Sequence, residues 1–387
     1  MPTDFDWVIS LDGTDVSDFT LEGARISYGR ERVGEQPSIS VAVLELMTED
    51  LLPDVGATYP EFGLGNHSMP TGYADTYVDV YAGPSSRITI GAPVIVKADT
   101  PGGYEDTYTD TYYGDTHVRF TGYIVAIDYT WDLIQLTCVT PMEQLARVMV
   151  GDTQTAGSEW PQETDLARAV RIWDDINLVS GTALQVVPRE GMRSESAYAL
   201  IQQLAESCEA LAYCTRIGTI TYRSRDAYTP ATYTIPVDLI ARDQLKMSLD
   251  LADLNNTLIV EYGTGDVLPT VTATDAASVT SYGLRYGTMT SLLAVEADAQ
   301  AFANRELARR EPGWHMPDLT VNFALASDTQ ISHIASLDMG DTITIPALLD
   351  GSPVPDYTAE VLGYTETLSR GEWTVTFHLT PAGTLTP

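Results

Sequence analysis

The chain has 387 residues, a hydrophobic fraction of 44% and a formal net charge of −33, which is enough apolar material for about two to three packed domains and too much for wholesale disorder. Lys97 and Lys246 are its only lysines, so the clustered cations that phosphate binding requires are missing, and sequence-wide affinity for nucleic acid is excluded. No apolar run reaches the length of a membrane span, and the opening MPTDFDWVISLDG lacks the basic and apolar regions of a signal peptide, so a soluble chain made in a cytoplasm is expected.

Residues 7–11 and 25–30 read as short strands, and 38–46 as a longer alternating one. From 47 to 87 the pattern gives way to Pro, Gly, Asp and Tyr, and a second such stretch runs from 99 to 116; both read as insertions. Residues 118–147 then give strand, turn at Thr130-Trp131-Asp132, strand and short helix. Tyr123, Val125, Ile127 and Tyr129 alternate before the turn, and Ile134, Leu136 and Cys138 after it. Thr140-Pro141-Met142-Glu143 has the form of a capping box with proline at the first helical position.

In the middle of the chain, Leu166, Ala169, Val170, Trp173 and Ile176 mark an amphipathic helix that Thr164 can cap. Ala197, Leu200, Ile201, Leu204, Ala205 and Cys208 mark another, starting near Ser194 or Ser196. Strands at 211–215 and 219–223 meet in a hairpin at Ile217-Gly218, a further strand covers 256–262, and a helix covers 297–310 with Ala299, Phe302, Ala303 and Leu307 on one face.

The end of the chain repeats the beginning. Gly91-x-x-Val94-x-Val96 matches Gly340-x-x-Ile343-x-Ile345, Ile39-x-Val41-x-Val43 matches Leu319-x-Val321-x-Phe323, Gly122-Tyr123 matches Gly363-Tyr364, and Thr140-Pro141 matches Thr380-Pro381. Four strands in one order, entered by glycines at matching places, predict a mainly β (α+β) chain. It would hold two related small antiparallel β-barrels with a mixed helical segment between them. The expected division is 1–147 for the first barrel with insertions at 47–87 and 99–116, 148–255 for the central segment, and 256–387 for the second barrel with its helix at 297–310.

No catalytic motif stands out. The five histidines, His67, His117, His315, His333 and His378, are isolated, and HExxH, GxSxG and P-loop patterns are missing. His378 falls opposite Trp373, Val375, Phe377 and Leu379, on the solvent side of its strand. Cys138, Cys208 and Cys214 lack metal-ligand spacing and read as buried thiols. Neither a catalytic residue, a metal site nor a cofactor is assigned. The insertions carry Tyr73, Tyr77, Tyr81, Tyr104, Tyr108 and Tyr112 interleaved with Asp75, Asp79, Asp106, Asp110 and Asp115. Three readings stay open for them: solvated loops, oxygen ligands for Ca²⁺ without the EF-hand pattern, and partner contact through the six tyrosines.

Four stretches carry a resemblance. Arg25-Ile-Ser-Tyr-Gly-Arg with Gln36-Pro-Ser-Ile-Ser-Val-Ala-Val-Leu-Glu-Leu, Phe120-Thr-Gly-Tyr-Ile with Leu136-Thr-Cys-Val-Thr-Pro-Met-Glu-Gln-Leu-Ala-Arg, residues 196–223, and Met339-Gly-Asp-Thr-Ile-Thr-Ile together resemble the tail-hub (baseplate hub, minor tail) proteins of tailed phages. The resemblance implies a non-enzymatic structural virion protein of the tail tip, assembled in the host cytoplasm. It implies a homotrimeric ring whose two barrels per chain present six similar faces, joining the tail tube to tip or fibre components and enclosing the DNA channel. The implied partners are the distal tail or tube protein, the tip or fibre proteins and the tape-measure protein. Two further classes remain: a tail-tip carbohydrate-binding or cell-wall-degrading module, with Trp160, Trp173 and Trp314 as stacking candidates, and a Ca²⁺-dependent adhesive module.

Overall fold

The computed structural model describes residues 6–11, 14–15, 20–30, 36–47, 90–99, 116–129, 133–150, 159–181, 185–188, 190–191, 195–227, 229–241, 245–248, 254–265, 267–309, 316–346, 356–369 and 372–381. The alternating stretches near the N-terminus form strands β1 (Asp6–Leu11), β2 (Thr20–Gly29), β3 (Val41–Met47), β4 (Pro93–Asp99), β5 (Thr116–Tyr129) and β6 (Leu133–Val139), followed by helix α1 (Met142–Arg147). The middle contributes α2 (Asp165–Ile172), β7 (Asn177–Val179), α3 (Ala197–Ser207), β8 (Leu211–Cys214), β9 (Ile220–Arg223) and β10 (Thr232–Thr234). Then come β11 (Thr257–Glu261), β12 (Thr270–Thr274), α4 (Ala276–Tyr282), β13 (Tyr286–Thr290) and α5 (Glu296–Arg309). The C-terminal set is β14 (Asp318–Asn322), α6 (Asp328–Ser336), β15 (Thr342–Ile345), β16 (Tyr357–Ser369) and β17 (Glu372–Pro381).

The repeat is real at the level of pairing. In the first unit the antiparallel order is β3-β6-β5-β4, and in the second it is β14-β17-β16-β15. Gly91 and Gly340 both have φ of 90°, where a side chain is strained, and each donates its N–H across 2.8 Å, to the Ile124 and Val361 carbonyls respectively. Both long strands carry a bulge one residue further on, between Ile124 and Ala126 and between Val361 and Gly363.

That shared bulge corrects two of the sequence matches. Gly363 occupies the place of Ala126, not that of Gly122, and the two glycines answer to different contacts. A Cβ on Gly122 would lie 2.2 Å from the Val139 carbonyl, whereas one on Gly363 would lie 2.4 Å from the Tyr28 carbonyl. Likewise Leu319 corresponds to Leu44, since Leu44 pairs with Leu136 and Leu319 with Phe377. The buried face of β3 is therefore Ala42, Leu44 and Leu46, with Val41 and Val43 half-buried on the other side. A strand covered on both faces is apolar on both, which hides its inward parity from a sequence pattern.

Among the described residues the two units are joined and not separate. β2 pairs with β3 of the first unit on one edge and with Gly363–Leu368 of β16 on the other, so both units belong to one 12-stranded sheet. One hydrophobic core runs under it from Ile9 to Leu379. A second core gathers α1, α2, α3 and the β7-β9-β8 sheet, together with α5 and the β12-β11-β13 sheet. The strand expected at 256–262 and the helix expected at 297–310 both form, and they pack in this second core.

Local helix signals hold where a side chain can reach. Thr164 accepts the Ala167 N–H at the start of α2, and Ser196 accepts the Ala199 N–H at the start of α3. The capping box expected at 140–143 does not form. Pro141 precedes α1 without a side-chain cap, and Glu143 instead accepts the Tyr123 hydroxyl at 2.5 Å and the Arg147 guanidinium at 2.6 Å. His378 lies half-buried between Asp318 at 2.8 Å and Thr365 at 3.3 Å, because β14 and β16 flank its strand. All three cysteines are free and buried as expected.

Two outcomes follow from this packing. Gly363→Ala should destabilise the chain by about 1–3 kcal/mol, because overpacking here pushes backbone against backbone; urea denaturation measures it, and an unchanged midpoint would contradict the close approach. Burial pushes the Cys138 thiol up to about 12, the Cys214 thiol up to about 11, and that of Cys208 higher than usual. Native protein at pH 8 should therefore leave a thiol-specific chromogenic reagent unreacted, and unfolded protein should titrate all three.

Candidate functional site

A buried polar constellation sits where the two units meet. β5 turns Arg119 inward beside Phe120, and β16 turns Glu366 inward between Tyr364 and Leu368, which share its face. The Arg119 Nε lies 2.9 Å from both Glu366 oxygens, and the side chains are 1% and 0% exposed. Glu366 also accepts the Trp373 indole N–H at 2.5 Å. The rest of the Arg119 guanidinium donates to the Ala335 carbonyl and lies 5.3 Å from the Tyr364 ring centroid and 5.8 Å from that of Trp373. A charge removed from water is tolerated on these terms, with an opposite charge and further hydrogen bonds around the pair.

A second arginine enters from the middle of the chain. Arg216 stands in the β8–β9 turn, which Gly218 closes at a φ of 86° by donating to the Thr215 carbonyl at 2.9 Å. Its guanidinium donates to the Tyr364 hydroxyl at 2.5 Å, to Ala335 O at 2.6 Å and to Leu337 O. It also lies 4.8 Å from the Tyr364 ring, itself stacked on Tyr28 at 5.1 Å. The two arginines thus meet the carbonyls ending α6, the negative pole of that helix. Burial pushes the Tyr28 hydroxyl well above its usual range, with Asp338 adding to it. Burial also raises that of Tyr364, against the pull of Arg216 and Arg119, so both phenols stay protonated.

Beside this cluster the backbones of β2 and β16 touch. Gly29, at a φ of 88°, faces Gly363, and a Cβ on Gly29 would lie 2.5 Å from the Gly363 Cα. Arg119, Glu366, Arg216, Tyr28, Tyr364 and the glycine pair together clamp the first unit, the central hairpin and the second unit. The cluster offers no solvent-facing nucleophile or carboxylate. Its chemistry is that of a joint.

Tyr73, Tyr77, Tyr81, Tyr104, Tyr108 and Tyr112, with the neighbouring aspartates, lie outside the described residues, as do His67, His315, Trp314 and the turn at 130–132. Trp160 is buried with the Arg168 guanidinium 4.8 Å from its ring and presents no stacking face, and Trp173 is half-buried against the second core. Among the described residues no group of three His, Cys, Asp or Glu side chains could hold a metal ion, and no helix is long and apolar enough to cross a membrane. Sequence reasoning missed the Arg119–Glu366 pair. Its one local signal was parity, since Glu366 alternates with Tyr364 and Leu368 on an inward face.

Fold comparison agrees with this architecture over almost the whole chain. No family model and no curated protein matches the sequence. The fold is similar to that of the tail protein from Neisseria meningitidis MC58, with a TM-score of 0.63 and 13% identity over 99% of this chain and 98% of that one. It is also similar to the 43 kDa tail protein of prophage MuSo2 from Shewanella oneidensis, with a TM-score of 0.59 and 10% identity over 98% and 99% of the two chains. The prophage tail protein gp18 from Listeria monocytogenes EGD-e follows, at 0.56 and 11% over 98% and 95%. The chain therefore has the fold of solved phage and prophage tail proteins, as its sequence resemblance implied.

Glu366→Gln should cost about 3–5 kcal/mol, because it leaves the Arg119 charge buried and uncompensated. Replacing both partners, Arg119→Met with Glu366→Leu, should recover most of that loss. A double-mutant cycle in urea measures the coupling, and additive losses would show that the pair is not the joint described.

Proposed function

We propose that this chain is a structural virion protein that forms a ring-shaped tail hub. In this reading three copies join the tail tube to the tip or fibre proteins and enclose the channel through which DNA passes. The observation that supports it most is the duplicated four-strand unit held in one sheet by the Arg119–Glu366 joint, in a fold shared end to end with tail proteins. Three chains with two similar units each present six similar faces, which is what a component between six-fold and three-fold neighbours needs. The distal tail or tube protein, the tip or fibre proteins and the tape-measure protein are the proposed neighbours. The net charge of −33 suits a wall past which DNA slides, since a like-charged surface gathers no phosphates. The tyrosines of the two insertions are proposed as contacts to those neighbours.

Native mass spectrometry across protein concentration and salt tests the ring. A trimer is expected, strengthened as salt screens the mutual repulsion of the acidic chains. A monomer under every condition would overturn the trimeric reading.

A further inference from the structure

The β12-β11-β13 sheet buries one face in the second core and leaves the other to solvent. On β12, Val271 and Ala273 turn inward, and Thr270, Thr272 and Thr274 are exposed. Pairing to β11 sets Thr272, Ile259 and Thr288 in one row of the outer face, and Thr274, Thr257 and Tyr286 in the next. The stretch that leads into β13 stands open as well. Thr280 to Tyr286 are exposed without a break, and a Cβ on Gly283 would meet no atom within 4 Å beyond its chain neighbours. Tyr282, Leu284 and Tyr286 are 44%, 52% and 64% exposed, at alternate positions of one short stretch. Large apolar side chains scattered singly on a surface need no explanation, but a group of them marks a contact.

Helix α4 gives a second, independent sign of a missing neighbour. Asp275 caps it by accepting the Ala277 and Ser278 N–H groups at 2.9 and 3.0 Å. Gly283, at a φ of 76°, ends it by donating to the Val279 carbonyl at 3.0 Å. Between these caps only Ser278 is buried, and Val279 is half-buried. A seven-residue helix containing Val, Thr and two Ser is weak by itself. Such helices are held by packing an apolar stripe, and within this chain α4 packs almost none.

Charge says what kind of partner the face suits. Between Val267 and Ala294 the charged residues are Asp275 and Arg285, one of each sign, in a chain whose net charge is −33. The Asp275 carboxylate is turned to its own helix. A basic partner is met best by an acidic surface. An acidic partner needs a face cleared of carboxylates, because like charges repel most where water is expelled. A copy of this chain is such a partner. We infer that the Tyr282–Leu284–Tyr286 surface, with α4 and the threonines of β12 and β13, docks a second copy of this chain. It meets a different surface of that copy, since a face that met itself would close a pair and not a ring. Two tyrosines and a leucine among neutral hydroxyls have the composition of an interface core, from which charge is depleted. This inference rests on the ring reading and names a face through which the ring closes.

The test places the photo-cross-linker p-benzoylphenylalanine at position 284 of the full chain and reads the products by mass, beside native mass spectrometry of the unmodified protein. Illumination is expected to give a species of twice the chain mass, and hydrogen exchange at 276–290 should slow in the oligomer. Leu284→Glu should weaken assembly about tenfold or more and leave the far-UV circular dichroism unchanged, because the side chain it replaces is exposed. Oligomers that form with no cross-link from position 284, and with 276–290 unprotected, would overturn the self-contact. They would give this face to another tail protein and leave the ring reading standing. Monomers under every condition would overturn both.

Discussion

A guanidinium and a carboxylate with almost no exposure to water cannot be placed approximately. Each must find the other, and every remaining polar atom must find a partner, or the desolvation cost is not offset. Arg119 and Glu366 are paired and further bonded to Trp373 and the last turn of α6, and the four groups come from well-separated parts of the chain. The pair therefore forms only when the first and second units are correctly placed on each other. Arg216 extends the same requirement to the central hairpin, because it uses the hydroxyl of Tyr364 and the same helix carbonyls. The sheet that joins the units, the paired glycines and the shared core all lie around this joint.

The consequence for architecture is a chain with one long sheet and one continuous core where its internal repeat suggested two barrels. β2 is the element that makes the difference, since it pairs with one unit on each edge. Gly29 and Gly363 allow that approach, as any side chain at either position would overlap the opposing backbone. The second core, with its helices and two small sheets, leans on this frame through Arg216 and the β8–β9 turn. A scaffold stiffened in this way presents two similar units at a set spacing, which is a geometric task.

Much of the fold was legible in the sequence because its signals are local. Alternation named the strands, glycines that need a positive φ marked the entries at Gly91 and Gly340, and Thr164 and Ser196 marked helix starts. The order of the four strands along each unit was also legible in the repeat. Register was harder. Gly122 and Gly363 precede tyrosines by coincidence of sequence, and the bulge between Ile124 and Ala126 adds a residue that cross-strand pairing reveals and the pattern of a single strand does not. The expected capping box failed because Tyr123 lay close enough to claim the Glu143 carboxylate first.

What the sequence by itself determined is the strands of the two related units and the buried state of the cysteines, because each depends on residues near one another in the chain; the strands at Thr270–Thr274 and Tyr286–Thr290 were not read. What only the tertiary structure decided is that the units merge, and that Arg119, Arg216 and Glu366 meet. Arg119 lies 247 residues from Glu366 and Arg216 lies 148 from Tyr364, and nothing in the local sequence of an inward-facing arginine says which group will partner it. Coulomb and desolvation energies depend on distance in space, and that distance exists only once the chain has folded.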